Sequence, residues 1–73
     1  MLLINQIKED LILFSTRDIP TSDIDIIREG ERCKIVYVNH DSVSITSLDS
    51  NLWVQVDNDW IDYHFSKHKK RED

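Results

Sequence analysis

Apolar and polar positions keep two rhythms along this chain, and the clearer one begins at residue 33. Cys33-Lys34-Ile35-Val36-Tyr37-Val38 is rich in β-branched and aromatic residues, with Cys33 alternating with Ile35 and Tyr37. Val43 and Ile45 alternate with Ser44 and Thr46, and Leu52, Val54 and Val56 alternate with Trp53 and Gln55. That is the period of a half-buried strand. Asn39-His40-Asp41, Leu48-Asp49-Ser50-Asn51 and Asp57-Asn58-Asp59 supply turns. Three strands joined by turns this short predict an antiparallel meander, which Trp60-Ile61-Asp62-Tyr63-His64-Phe65 closes.

The first third is more ambiguous. Ile4, Ile7, Leu11 and Phe14 are three and four apart, the stripe of an amphipathic helix, yet Leu11-Ile12-Leu13-Phe14 is a continuous apolar run suited to a buried strand. Together they predict a short helix over roughly 3–10 and a strand over roughly 11–15. Ser15 to Asp25 is polar and acidic, is interrupted by Pro20, and reads as one long loop. The single glycine, Gly30, stands just before the strongest strand. Only glycine enters positive φ without steric cost, so a sharp turn is expected there. The expected fold is mostly β: a small antiparallel barrel with a short N-terminal helix, one domain over residues 1–65, then a charged flexible tail over 66–73.

Two stretches resemble SH3 domains. Asp25-Ile26-Ile27-Arg28-Glu29-Gly30-Glu31-Arg32-Cys33-Lys34-Ile35-Val36 resembles the segment in which a Gly-Glu pair leads into the second strand. Val54-Gln55-Val56-Asp57-Asn58-Asp59-Trp60-Ile61 resembles the strand end that runs into a one-turn 3₁₀ helix carrying an aromatic and then an aliphatic residue. Ser15–Asp25 takes the place of the long acidic loop. The resemblance covers about residues 11–65 and implies an SH3-like barrel. The peptide-binding residues of that family do not follow with it. Leu11-Ile12-Leu13-Phe14-Ser15 has no aromatic pair, Asp57 replaces a proline, and Ser42-Val43-Ser44 stands where paired tryptophans open the third strand of the barrel. The polyproline groove is therefore mostly missing. The chain is similar to the stripped SH3-like barrels of small bacterial and phage regulatory proteins.

Charge narrows the partner. The net charge is −5 over 73 residues, unevenly placed. Residues 1–63 hold five Lys/Arg against twelve Asp/Glu, a net of −7, while residues 64–73 hold four against two, a net of +2. An acidic body repels phosphate backbones, so duplex nucleic acid is an unlikely partner; plain solubility also explains the acidity. One cysteine allows no intrachain disulfide, which fits a reducing, cytoplasmic location. No apolar run is long enough for a bilayer. Met1-Leu2-Leu3-Ile4 is short and followed at once by Lys8, Glu9 and Asp10, so neither a membrane span nor a signal peptide is expected.

Candidate chemistry is sparse. His64 and His68 are four apart and with Cys33 and His40 could be assembled into a zinc set, but these spacings match no closed tetrahedral pattern, so no metal and no cofactor is expected. Cys33 reads as a small buried hydrophobe rather than a nucleophile. The Asp23/Asp25 and Asp57/Asp59 pairs lie in turns, where turn chemistry explains them. The aromatics say more. If Leu52, Val54 and Val56 face the core, Trp53 points the other way, as an exposed partner anchor or as a residue covered by the N-terminal helix or the tail. Trp60 reads first as packing at the barrel end and second as a partner contact. The expectation is a non-enzymatic, regulatory or inhibitory protein-binding module. It would present Trp53, Trp60 and the acidic Asp18, Asp23 and Asp25 to a basic protein surface. The alternatives are a nucleic-acid-associated barrel of the KOW or Tudor-like kind, using Lys67, Lys69, Lys70 and Arg71, and an acidic mimic of nucleic acid that fills a basic groove.

Overall fold

A computed structural model of the chain describes residues 7–67. The described residues form seven strands: β1 (Ile12–Ser15), β2 (Ile19–Pro20), β3 (Ile26–Ile27), β4 (Arg32–Val38), β5 (Ser42–Ser47), β6 (Trp53–Asp57) and β7 (Phe65–Ser66). A 3₁₀ turn over Asn58–Trp60 and a single helical turn, α1 (Ile61–His64), join β6 to β7. Five strands make one antiparallel sheet in the order β6-β5-β4-β1-β7, curled into a half-barrel, and β2 pairs with β3 as a separate hairpin.

The meander β4–β5–β6 is the one the alternation predicts. One face of each strand is buried: Leu13, Cys33, Ile35, Val43, Ile45 and Val56 meet Ile19, Ile27, Ile61 and Phe65 in a single core. A fully buried aliphatic side chain contributes roughly 1.5–3 kcal/mol, so this small set carries the fold. Gly30 has φ +86, as a sharp turn before β4 requires, and its N–H donates to the Ser15 carbonyl at 2.8 Å.

Several expectations need correction. Residues 7–10 are not helical: Lys8 and Asp10 flank a turn in which Asp10 has φ 70, and the Asp10 N–H donates to Ile35 O at 2.8 Å. The helix expected over 3–10 therefore fails in its described part, and residues 3–6 lie outside the described residues. The helical turn is near the C-terminal end instead. The long loop Ser15–Asp25 contains half of a hairpin, in which Ile19 pairs with Ile27 and Pro20 with Ile26. Pro20 does not end regular structure, because on an edge strand its missing N–H faces away from the partner.

Tyr37 is exposed, whereas simple alternation with Cys33 and Ile35 would bury it. The β4–β5 register slips between Ile35 and Tyr37, leaving Val36 as a bulge. One extra residue reverses the faces beyond it, so Val38 turns back to pack on the core. Ser66, placed in the flexible tail by the sequence, pairs with Phe14 in β7; residues 68–73 lie outside the described residues.

Candidate functional site

A concave surface lies between the β2–β3 hairpin and β6. Two adjoining cavities run along it. The larger, about 550 Å³, is lined by Ile19 and Pro20 on one side and Val54–Asp57 on the other, with Trp60, Tyr63 and His64 at its end. The smaller, about 400 Å³, lies between Thr21, Ser22 and Asp25 of the hairpin and residues 51–55, including Trp53. Val54 and Gln55 line both, so the cavities form one groove. Among the described residues its lining carries two carboxylates, Asp25 and Asp57, and no Lys or Arg.

Each wall has a local cause. On β6, Trp53, Gln55 and Asp57 face solvent while Val56 is buried, so the indole of Trp53 is 64 % exposed, on the side the alternation assigns to it. Trp60 departs from the packing role expected of it. It is 53 % exposed, because the 3₁₀ turn spends its inward position on the following Ile61. The Trp60 ring meets Tyr63 edge-on with centroids 5.6 Å apart, and Tyr63 meets His64 at 5.0 Å. Arg17 lies over the Tyr63 ring at 3.6 Å and donates from Nε to the Tyr63 carbonyl at 3.1 Å. Thr16 donates to that carbonyl as well, at 2.8 Å from Oγ1. These bonds tie the helical turn to the strand end after β1 and hold the aromatic cluster in place.

The acidic residues separate into different roles. Asp25 lines the groove across from Trp53. Asp18 accepts the Glu29 N–H at 2.9 Å and lies 4.0 Å from Arg28, clamping the base of the hairpin. Asp23 is exposed near the hairpin tip, outside both cavity linings, and beside it Ile24 is 88 % exposed. The groove thus brings together Trp53, Asp25 and Trp60, and adds Pro20, Gln55, Asp57, Tyr63 and His64, which the sequence reading did not select. Tyr63 and His64, three and four residues beyond Trp60, share a face of a helical turn, a signal visible only once the turn is known to be helical.

His64 is the titratable group at the groove end. Its Nδ1 is buried without a hydrogen-bond partner. Burial, helped by the Arg17 charge, holds its pKa below the ordinary 6.5. Since the folded pKa is the lower one, the neutral ring is the form folding favours. Its contribution is complete above about pH 6.5 and is lost as pH falls through the lowered value. Urea midpoints measured from pH 7.5 down to 5 should therefore decline, and His64→Gln should flatten that decline; equal slopes for the two proteins would contradict the assignment.

Cys33 is fully buried, and burial, with the nearby Glu31 and Asp49 charges, pushes its thiol up to about 11. It therefore has the character of a core residue rather than of a nucleophile. His40 sits exposed in the β4–β5 turn, away from that core, and His68 lies outside the described residues. No cluster of three His, Cys, Asp or Glu side chains suited to a metal occurs among the described residues, and none of their helices is long and apolar enough to cross a membrane.

Comparison with known proteins yields no matching family model, no matching curated protein and no matching solved structure, so the groove is read from its own geometry.

Proposed function

We propose that this chain is a small SH3-like, non-enzymatic binding domain that captures a basic segment of a partner protein in the groove between β6 and the β2–β3 hairpin. The observation that carries the reading is the groove itself: an apolar and aromatic trough bearing Asp25 and Asp57, with no Lys or Arg among the described residues that line it. Exposed tryptophans are preferred anchors of protein interfaces, and here two of them, Trp53 and Trp60, line one continuous concavity. An acidic body would speed the encounter with a basic partner more than it deepens affinity. The SH3-like part of the reading is supported by the strand order, by a hairpin inserted between β1 and β4, and by the 3₁₀ turn before the last strand. A buried free thiol is compatible with a cytoplasmic site of action.

Titrating the isotope-labelled full chain with basic peptides and, separately, with duplex DNA tests the proposal. Basic peptides should shift the amides of the groove residues selectively, and DNA near physiological salt should leave the spectrum unchanged. A sub-micromolar Kd for duplex DNA would assign the protein to the nucleic-acid-associated class instead, with Trp60 and Tyr63 as stacking rings.

A further inference from the structure

The wall that β6 offers to the groove is a strand edge. The four consecutive residues Val54–Asp57 all line the larger cavity, although alternate side chains of a strand point to opposite faces. What they share on the cavity side is the backbone. The β5–β6 ladder shows which backbone groups are free. Its register pairs Thr46 with Trp53, Ile45 with Val54 and so on to Ser42 with Asp57, without interruption. At its two ends the Ser47 N–H donates to Leu52 O at 2.7 Å and the Asn58 N–H donates to Asp41 O at 2.9 Å. In an antiparallel ladder the bonded pairs alternate, so 52, 54, 56 and 58 turn their backbone groups toward β5. Trp53, Gln55 and Asp57 turn theirs outward.

The facing wall does not take up those groups. Among the described residues, no strand pairing joins the hairpin to β6. Pro20 stands on the hairpin edge opposite β6 and has no N–H to give. β6 carries neither the proline nor the lysine that commonly blunts an exposed edge.

We propose that the outer edge of β6 binds an extended basic segment of a partner protein as an added strand, lying in the cleft between β6 and the hairpin. The proposal rests on the groove reading above and specifies how the groove is used. Main-chain bonds to Trp53, Gln55 and Asp57 supply affinity, and alternate side chains supply specificity. One set of partner side chains enters the apolar trough beside Val54, Val56 and Pro20, so it is apolar. The other lies on the face of Asp57, with Asp25 across the groove, so it is basic. A second copy of this chain fits worse, because two bodies of net charge −5 would be brought edge to edge.

The test uses the full chain and two blocked synthetic peptides of equal charge, a lysine–valine alternating peptide and its analogue N-methylated on the backbone of every lysine. Residues opposite Trp53, Gln55 and Asp57 share the face of Asp57 and are the lysines, so N-methylation of the lysines removes the donors that strand pairing needs. The lysine–valine peptide should bind and slow hydrogen exchange at the Trp53, Gln55 and Asp57 amides, which should exchange fast in the free protein. The N-methylated analogue should bind about tenfold more weakly or worse. Gln55→Ala, which loses the side chain and its bond to Ser42 Oγ but keeps the outward N–H, is the reference for the peptide titration. Gln55→Pro removes that outward N–H as well and should bind the lysine–valine peptide about tenfold or more weakly than Gln55→Ala does; if it fails to fold, the exchange measurement on the unsubstituted chain decides.

Equal binding of both peptides without amide protection would overturn strand addition and leave the groove reading standing. Binding of neither peptide at millimolar concentration would overturn the groove reading itself. Protection of these three amides in the free protein would also overturn the proposal. If it rises with protein concentration the edge belongs to a second copy, and if it does not, to the chain's own basic C-terminal segment.

Discussion

Glu31→Ala is expected to destabilise the domain by about 2 kcal/mol, a large share of what a 73-residue chain can have. The Glu31 carboxylate joins two turns distant in sequence. Its Oε1 accepts from the hydroxyls of Ser47 and Ser50, the latter at 2.7 Å, and its Oε2 accepts the Arg28 N–H at 2.7 Å. The Ser47 hydroxyl in turn accepts the N–H groups of Asp49 and Ser50, both at 3.1 Å. Ser15, equally buried, accepts the Glu31 N–H at 3.0 Å and donates to the Arg28 carbonyl. Removing the carboxylate leaves three donors without their acceptor, one of them, the buried Ser47 hydroxyl, in the part-buried centre of this network, and an orphaned buried group costs more than a satisfied bond contributes.

Burial alone would raise the Glu31 pKa. The bonds from Ser47, the Arg28 backbone and Ser50 outweigh it and hold the carboxyl below its ordinary 4.5. The stability this adds is complete above about pH 4.5 and is lost as pH falls through the lowered value, so Glu31→Gln should flatten the acid limb of the unfolding curve. Chemical denaturation at neutral pH checks the larger claim. A loss under about 1 kcal/mol for Glu31→Ala would mean that water replaces the carboxylate at little cost.

Trp53→Ala and Trp60→Ala are each expected to weaken binding of a basic partner peptide by about 2 kcal/mol, close to thirtyfold in Kd. Neither should unfold the chain. Read from sequence, Trp60 is the core residue of the two and its removal should be ruinous to stability. In the fold its indole is half exposed, and the packing at stake is the edge-on contact with Tyr63 and the tilted one with His64. Such ring pairs are worth about 0.5–1.5 kcal/mol, so the stability cost of Trp60→Ala should be near 1 kcal/mol, and that of Trp53→Ala less. Ile61→Ala supplies the contrast. That side chain is 1 % exposed in the core beside Phe65, and its loss should cost about 2–5 kcal/mol. Thermal melts and peptide titrations on the three variants separate the roles. A Trp60→Ala protein that is largely unfolded at room temperature would return Trp60 to the core.

Much of the β architecture was legible in the sequence because period-two alternation is a local consequence of pleating. Val43 with Ile45, and Val54 with Val56, announce strands, the short polar runs between them announce turns, and Gly30 announces a positive φ. The outward direction of Trp53 follows from the same period. Four things did not follow, each because a distant contact overrode a local signal. Ile4, Ile7 and Leu11 keep helical spacing, but Asp10 bonds to Ile35 and Leu11 to the same residue in the neighbouring strand, so sheet pairing decides the backbone there. The acidic stretch before Asp25 looks like loop by composition, but Ile19 and Ile27 need the core and zip the hairpin around it. A one-residue bulge at Val36 reverses Tyr37 and Val38 with no trace in composition. The groove is the fourth. Its walls lie more than thirty residues apart in the chain, Pro20 against Val54, and only the curl of the sheet, closed by the turn through Ile61, brings a proline-blunted edge to face an open one. Alternation reports which side of a strand meets the core; which strand is left unpaired, and what stands across from it, is set by the pairing of residues that no local rhythm connects.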